Sequence, residues 1–166
     1  MSNQTETELA VTPIQKTPWY ALPVIFGCML LVSFFATRIQ IVMTESVNAT
    51  VVWPSEKIPE QGDFVTFKLI HRVIPTPDNS VQVTKILSCS ENQILRRVEN
   101  IWTCDGVEIG TSRKFAQNGD KLEQFEFNGV IPKGKAFVTG THEHSFDSRY
   151  WGFVDASKLR TVYKVF

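Results

Sequence analysis

The chain has 166 residues, with 17 basic and 17 acidic side chains and a formal net charge of zero. That length holds one domain plus an anchor. The balanced charge gives no reason to expect nucleic acid as a partner, and the short basic pair Arg96-Arg97 reads as a solvated strand face.

Residues 1–16 are polar without periodicity and read as a short disordered tail. Between Thr17 and Thr37 no residue is charged, and Tyr20 to Ala36 is almost wholly apolar. About twenty residues rising 1.5 Å each span the hydrocarbon core of a bilayer, so residues 17–37 are expected to form one transmembrane helix. Trp19 and Tyr20 suit an interfacial aromatic belt, and Pro23 falls in the first turns. A cleavable signal peptide is the rival, but no small-x-small site precedes Arg38. Lys16 and Arg38 flank the span and Glu6 and Glu8 add acid to the tail, so the charge bias does not orient it.

Ile39 to Thr44 is β-branched and extended in character. Thr44 and Ser46, two apart in an extended segment, place two hydroxyls on one face close to the end of the apolar span. Pro54 to Gly62 is a turn-rich connector, and Gly62-Asp63-Phe64-Val65-Thr66-Phe67 alternates as a strand. In Val81-Gln82-Val83-Thr84-Lys85-Ile86-Leu87 the alternation puts Lys85 in one row with Val81, Val83 and Leu87. Two accounts fit such a lysine: it snorkels from a strand edge, or desolvation disfavours its ammonium form and leaves an amine able to accept a proton. Trp102 to Gly110 reads as a hairpin closed by Asp105-Gly106, and Asn128-Gly129 as another turn. Helix periodicity is hard to find beyond the anchor, so residues 39–166 are predicted to form a predominantly β domain.

A serine nucleophile needs a base that is neutral at working pH and within hydrogen-bond reach. The histidines are His71, His142 and His144, and the last two flank Glu143 in a polar loop that reads as a solvated turn rather than a metal site. No Ser-His-Asp set recommends itself, and no metal or cofactor is expected. A serine and Lys85 remain.

The run Ile131-Pro132-Lys133-Gly134-Lys135-Ala136-Phe137-Val138-Thr139-Gly140, followed by Ser145-Phe146-Asp147-Ser148-Arg149-Tyr150-Trp151-Gly152, closely resembles the C-terminal signature of type I signal peptidases. That signature reads I-P-x-G-x-x-F-V-x-G-D-N and then S-x-D-S-R-Y-W-G. The Gly62-Asp63 strand resembles the family's G-D-x-V-x-F strand, in the same order along the chain. The resemblance implies a signal-peptidase-like β domain on a single N-terminal transmembrane helix, with the tail in the cytoplasm and the domain in the periplasm of a bacterial inner membrane. It also implies the roles. Ser46 falls where the family has its nucleophile and Lys85 where it has its general base. Ser145 falls on the serine that orients the lysine, and Asp147 with Arg149 on the charged pair that holds the loop. Thr44 falls where a hydroxyl assists the backbone N–H of Ser46 in the oxyanion hole.

The departures are informative. The housekeeping S-M-x-P-T pattern is absent after Ser46, where Val47 and Asn48 stand; Ser55, nearer the Gly62 strand, is the fallback nucleophile. The longer spacing from Ser46 to Gly62 is similar to that of the TraF-type peptidases of conjugative plasmids, which process pilin precursors. The family's arginine after the lysine is Ile86 here, and its aspartate after Gly140 is Thr141; those two groups pair in the family, so losing both leaves no unpaired charge. In an oxidising periplasm Cys89 and Cys104 can pair, closing a loop of about fifteen residues worth roughly 3 kcal/mol. Two lone thiols are the alternative, and Cys28 reads as a small hydrophobe within the anchor. The expected function is a membrane-anchored serine endopeptidase acting on a pilin precursor or other secreted preprotein at the lipid surface, by hydrolysis or with cyclisation of the product. A housekeeping signal peptidase and a non-enzymatic assembly protein of a transfer apparatus are the alternatives.

Overall fold

The computed structural model describes residues 18–38, 40–41 and 51–164, and contacts divide the chain into two units after Thr37. The first contains all but the last residue of α1 (Ala21–Arg38), 18 residues long. Pro23 lies in its first turn, where backbone N–H groups have no intrahelical acceptor to lose. Leu22, Val24, Ile25, Phe26, Met29, Leu30, Leu31 and Val32 are each more than half exposed. Successive residues point 100° apart, so these side chains encircle the helix rather than line one face. The helix rises about 27 Å. Among the described residues no helix is long and apolar enough to cross a membrane.

The second unit is built from antiparallel strands. Its elements in chain order are β1 (Gln40–Ile41), β2 (Val51–Pro54), β3 (Phe64–Ile70), β4 (Ser80–Cys89), β5 (Ile94–Val98), β6 (Ile101–Cys104) and β7 (Val107–Thr111). There follow β8 (Gly129–Val130), β9 (Lys135–Thr139), the single helical turn α2 (Ser148–Trp151), β10 (Val154–Asp155) and β11 (Arg160–Lys164). Among the described residues the strands form a seven-stranded sheet, β1-β2-β11-β3-β4-β9-β10, and a four-stranded sheet, β7-β6-β5-β8.

Alternation along β9 divides the interior in two. Ala136 and Val138 enter a core with Val65, Phe67, Leu69, Val83, Leu87 and Leu159. Phe137, pointing the other way as strand geometry requires, enters a second core with Cys89, Leu95, Trp102, Cys104 and Ile131. β4 serves both cores. Leu87 belongs to the first and Cys89 to the second, although an unbroken strand would keep residues two apart on one face; the register shift between them supplies the change of phase. Each fully buried large side chain here is worth about 1.5–3 kcal/mol relative to exposure.

Local chemistry accounts for the turns that hold this frame. Asp105 and Gly106 both have positive φ, 48° and 84°, the pair of left-handed positions that a two-residue hairpin needs between β6 and β7. Two sequence expectations differ from the structure. Asn128-Gly129 does not close a turn: Gly129 pairs with Leu95 as the first residue of β8, and the Asn128 side chain accepts from Arg97 N at 2.7 Å. Arg97 is not simply solvated. Its Nε donates to the Glu99 carbonyl at 2.7 Å, its Nη1 to the Phe125 carbonyl at 3.0 Å, and its guanidinium lies 5.7 Å from the Trp102 ring centre. It therefore ties the segment before β8 to the second core, while Arg96 is exposed.

Candidate active site

Lys85 stands in β4 directly opposite Val65 of β3, in the row with Val83 and Leu87, and is 1 % exposed. A lysine at an apolar strand position has two ways to keep its charge: reach water or find an anion. Here the side chain does neither directly, and Nζ donates to Ser145 Oγ at 2.8 Å. Burial disfavours the ammonium form and lowers its pKa to about 8; the charge of Asp147 opposes that shift and the charge of Arg149 adds to it. A substantial fraction of Lys85 is accordingly neutral at mildly alkaline pH, as a general base requires.

Ser145 is placed by the segment between β9 and α2. Its N–H donates to the His142 carbonyl at 3.0 Å, closing a turn. Two residues on, Asp147 caps α2 and accepts from Arg149 N at 3.2 Å. The same carboxylate, fully buried, accepts from Arg149 Nε and Nη2 at 2.7 and 2.6 Å and from Gly140 N at 2.8 Å. Asp147 therefore clamps both ends of the segment that carries Ser145. A carboxylate with this many donors, paired bidentately with arginine, has its desolvation offset by charge-assisted hydrogen bonds.

The remaining signature residues have identifiable tasks. Ser148 Oγ accepts from Val138 N at 3.1 Å, fastening α2 to β9, and the Tyr150 hydroxyl accepts from Arg113 N at 3.0 Å. The Trp151 ring meets Phe67 of the first core edge-on at 6.1 Å. Gly152 has φ 87°, and a Cβ there would stand 2.9 Å from Phe125, so both conformation and space call for glycine. Arg149 Nη1 reaches the Thr111 carbonyl of β7 at 2.7 Å, which links the second sheet to the segment bearing Ser145.

The structure thus brings Lys85, Ser145, Asp147 and Arg149 together. Thr44 and Ser46 lie outside the described residues. Ser55 is not brought to Lys85. Its N–H donates to the Thr161 carbonyl, Thr161 pairs with Val65, and Val65 pairs with Lys85. Three inter-strand steps of about 4.8 Å put the two residues roughly 14 Å apart along the sheet. Ser55 Oγ instead accepts from Lys57 N at 3.1 Å.

Cys89 and Cys104 form a disulfide with Cα atoms 5.7 Å apart, in the second core. Ile86 and Thr141 both line a cavity of about 570 Å³ together with Arg149 and Gly110. Among the described residues no group of three or more His, Cys, Asp or Glu side chains is arranged to hold a metal ion; His144 contacts Arg113 instead. Sequence reasoning missed Arg113 and Thr111. Neither carries a periodic or spacing signal, because each meets the site through a contact between residues more than thirty apart in the chain.

An antiparallel β domain in which a buried lysine is held by a serine, above an aspartate-arginine clamp, defines a signal-peptidase-like domain. The chain belongs to the signal peptidase family: the family model described as signal peptidase, peptidase S26 matches residues 17–166. Its activity is accordingly that of a signal peptidase I-type serine peptidase. The chain is also similar to the crystal structure of a signal peptidase I from Enterococcus faecalis V583, at 25% identity over 66% of this chain and 100% of that one, with a TM-score of 0.43. No curated protein matches the chain.

Proposed function

We propose that the chain is a membrane-anchored endopeptidase in which Ser46 is the nucleophile and Lys85 its general base, and that its substrate is a precursor presented at the membrane, a conjugative pilin. The observation that carries this reading is the burial of Lys85 with its Nζ 2.8 Å from Ser145 Oγ. The unprotonated amine takes the Ser46 proton as Oγ attacks the scissile carbonyl. The backbone N–H of Ser46 and the Thr44 hydroxyl hold the oxyanion. Lys85, now an ammonium, returns the proton to the leaving amine, and Ser145 keeps Nζ in line throughout. Deacylation by water releases an acid; deacylation by the product's own N-terminal amine closes a ring. Both outcomes use the same residues.

Residues 17–37 serve as the anchor in this reading, with residues 1–16 cytoplasmic and residues 39–166 periplasmic. The apolar side chains encircling α1 support it, since a helix apolar all round lacks the polar face of a surface helix. Anchoring delivers the cleavage site to Ser46 at high effective concentration. The test is co-expression with a candidate pilin precursor and intact-mass measurement of the product, with Ser46→Ala and Lys85→Ala as controls. Processing that disappears in both variants is expected, and a product one water lighter than the linear fragment identifies cyclisation. A fully active Lys85→Ala protein would sink the dyad.

A further inference from the structure

Ser145 has a second neighbourhood besides Lys85. It lines a cavity of about 380 Å³, open to solvent, whose walls include Leu122, Phe146, Tyr150, Arg113 and His144. Among the described residues that line it none is acidic. The Arg113 backbone is pinned on both sides, its N–H donating to the Tyr150 hydroxyl and its carbonyl accepting from Gln124 Nε2, each at 3.0 Å. Its side chain remains 41% exposed, and Nη1 lies against the His144 ring, 3.1 Å from Nε2. A carboxylate already samples this pair from the rim: Glu143 Oε1 is 3.0 Å from His144 Nε2 and 3.8 Å from Arg113 Nη1, on a side chain 75% exposed. The contact to His144 is of hydrogen-bond length and the one to Arg113 is long, but on so exposed an acid both are screened by solvent and readily displaced.

Resting on the Lys85 peptidase reading above, we propose that this cavity is a substrate subsite that takes a carboxylate next to an apolar side chain, close to the cleaved bond. Arg113 and His144 receive the carboxylate in place of Glu143, and Leu122, Phe146 and Tyr150 cover the apolar neighbour. Because Ser145 belongs both to this wall and to the Lys85 contact, a segment seated here lies beside the base. The carboxylate is an acidic side chain or the substrate's own C-terminus, which have the same chemistry. A pinned backbone with an outward guanidinium suits this role, since the charge is presented without reorganising the loop.

The test uses the full chain in detergent and position-scanned peptides with alanine at the cleaved bond, carrying Glu or Gln at each of the three positions on either side, with free or amidated C-termini. Cleavage is read as kcat/KM, and binding as fluorescence anisotropy on the Lys85→Ala protein. The expected result is a preference of about tenfold for Glu over Gln at one position, or for the free over the amidated terminus, which identifies the source of the carboxylate. Arg113→Gln brings that ratio close to one. Equal treatment of acid and amide by the wild-type protein overturns the subsite, as does an Arg113→Gln protein that slows both peptides alike and keeps their ratio, which marks a mere loop clamp. If no peptide is cleaved, the binding ratio decides: a preference abolished by Arg113→Gln retains the subsite while the peptidase reading falls, and a ratio of one sinks it.

Discussion

Lys85 Nζ and Ser145 Oγ are 2.8 Å apart, and the residues are 1% and 3% exposed. They lie sixty positions apart in the chain. The serine hydroxyl accepts from the lysine, so it stabilises the ammonium more than the neutral amine while limiting where the nitrogen can go.

That sense of donation makes a prediction for Ser145→Ala. With the acceptor gone the Lys85 ammonium is less stabilised and its pKa falls below about 8; with Lys85 as the proposed general base, the midpoint of the rise in kcat/KM with pH is expected to move down with it. The rate itself falls about ten- to a hundredfold, the worth of a hydrogen bond to a charged group. A pH-rate profile of the two proteins checks both. An unshifted midpoint at an unchanged rate would remove Ser145 from the mechanism.

Stability gives an independent reading of the same lysine. Its folded pKa, about 8, lies below the ordinary lysine value of 10.5, so between those limits the unfolded chain binds the extra proton and stability rises with pH. Below about 8 both states are protonated and the penalty is present in full, on the order of 3 kcal/mol. Lys85→Met is therefore expected to stabilise the protein at pH 7, with an advantage that shrinks towards pH 10. Urea denaturation at a series of pH values measures this, and a constant difference across the range would contradict it.

Asp147→Ala leaves Arg149, 3% exposed, without its anion and removes the cap of α2. Breaking a buried pair from one side costs about 3–5 kcal/mol. Replacing both partners together, Asp147→Leu with Arg149→Met, is expected to cost less than Asp147→Ala alone, because no buried charge is stranded. Denaturant midpoints of the three proteins test the ordering.

Removal of the Cys89–Cys104 bridge, by Cys89→Ala with Cys104→Ala, relieves the unfolded chain of a link spanning 15 positions. The expected loss is about 3 kcal/mol. Thermal melts with and without reductant provide a second measurement: the wild-type protein should lose stability in reductant and the double variant should not respond.

Much of this domain is legible in the sequence wherever the rule that governs it is local. The alternation of Val81 to Leu87 assigns Lys85 to an apolar row. Asp105-Gly106 announces a hairpin by the backbone conformation it permits, and Asp147 stands two residues from the arginine it binds. Other features are not local. Asn128-Gly129 has the composition of a turn, yet cross-strand pairing with Leu95 makes it a strand entrance. Arg97 looks like one half of a solvated pair until the carbonyls of Glu99 and Phe125 converge on it.

The sequence by itself determined the apolar N-terminal run, the β character of the remainder, and the residue types that a serine peptidase of this family needs. Period-two alternation, turn chemistry and motif spacing act over a few residues and can be read without coordinates. Only the tertiary structure decided the direct, buried 2.8 Å contact by which Ser145 holds Lys85, that Thr111 and Gly140 complete the clamp around Asp147 and Arg149, and that Ser55 stands across three inter-strand steps from the lysine. The physical reason is that each of these relations depends on which strands lie side by side, and strand order is set by the burial of separate apolar clusters, Val52, Phe64 and Val162 among them, rather than by any neighbour along the chain.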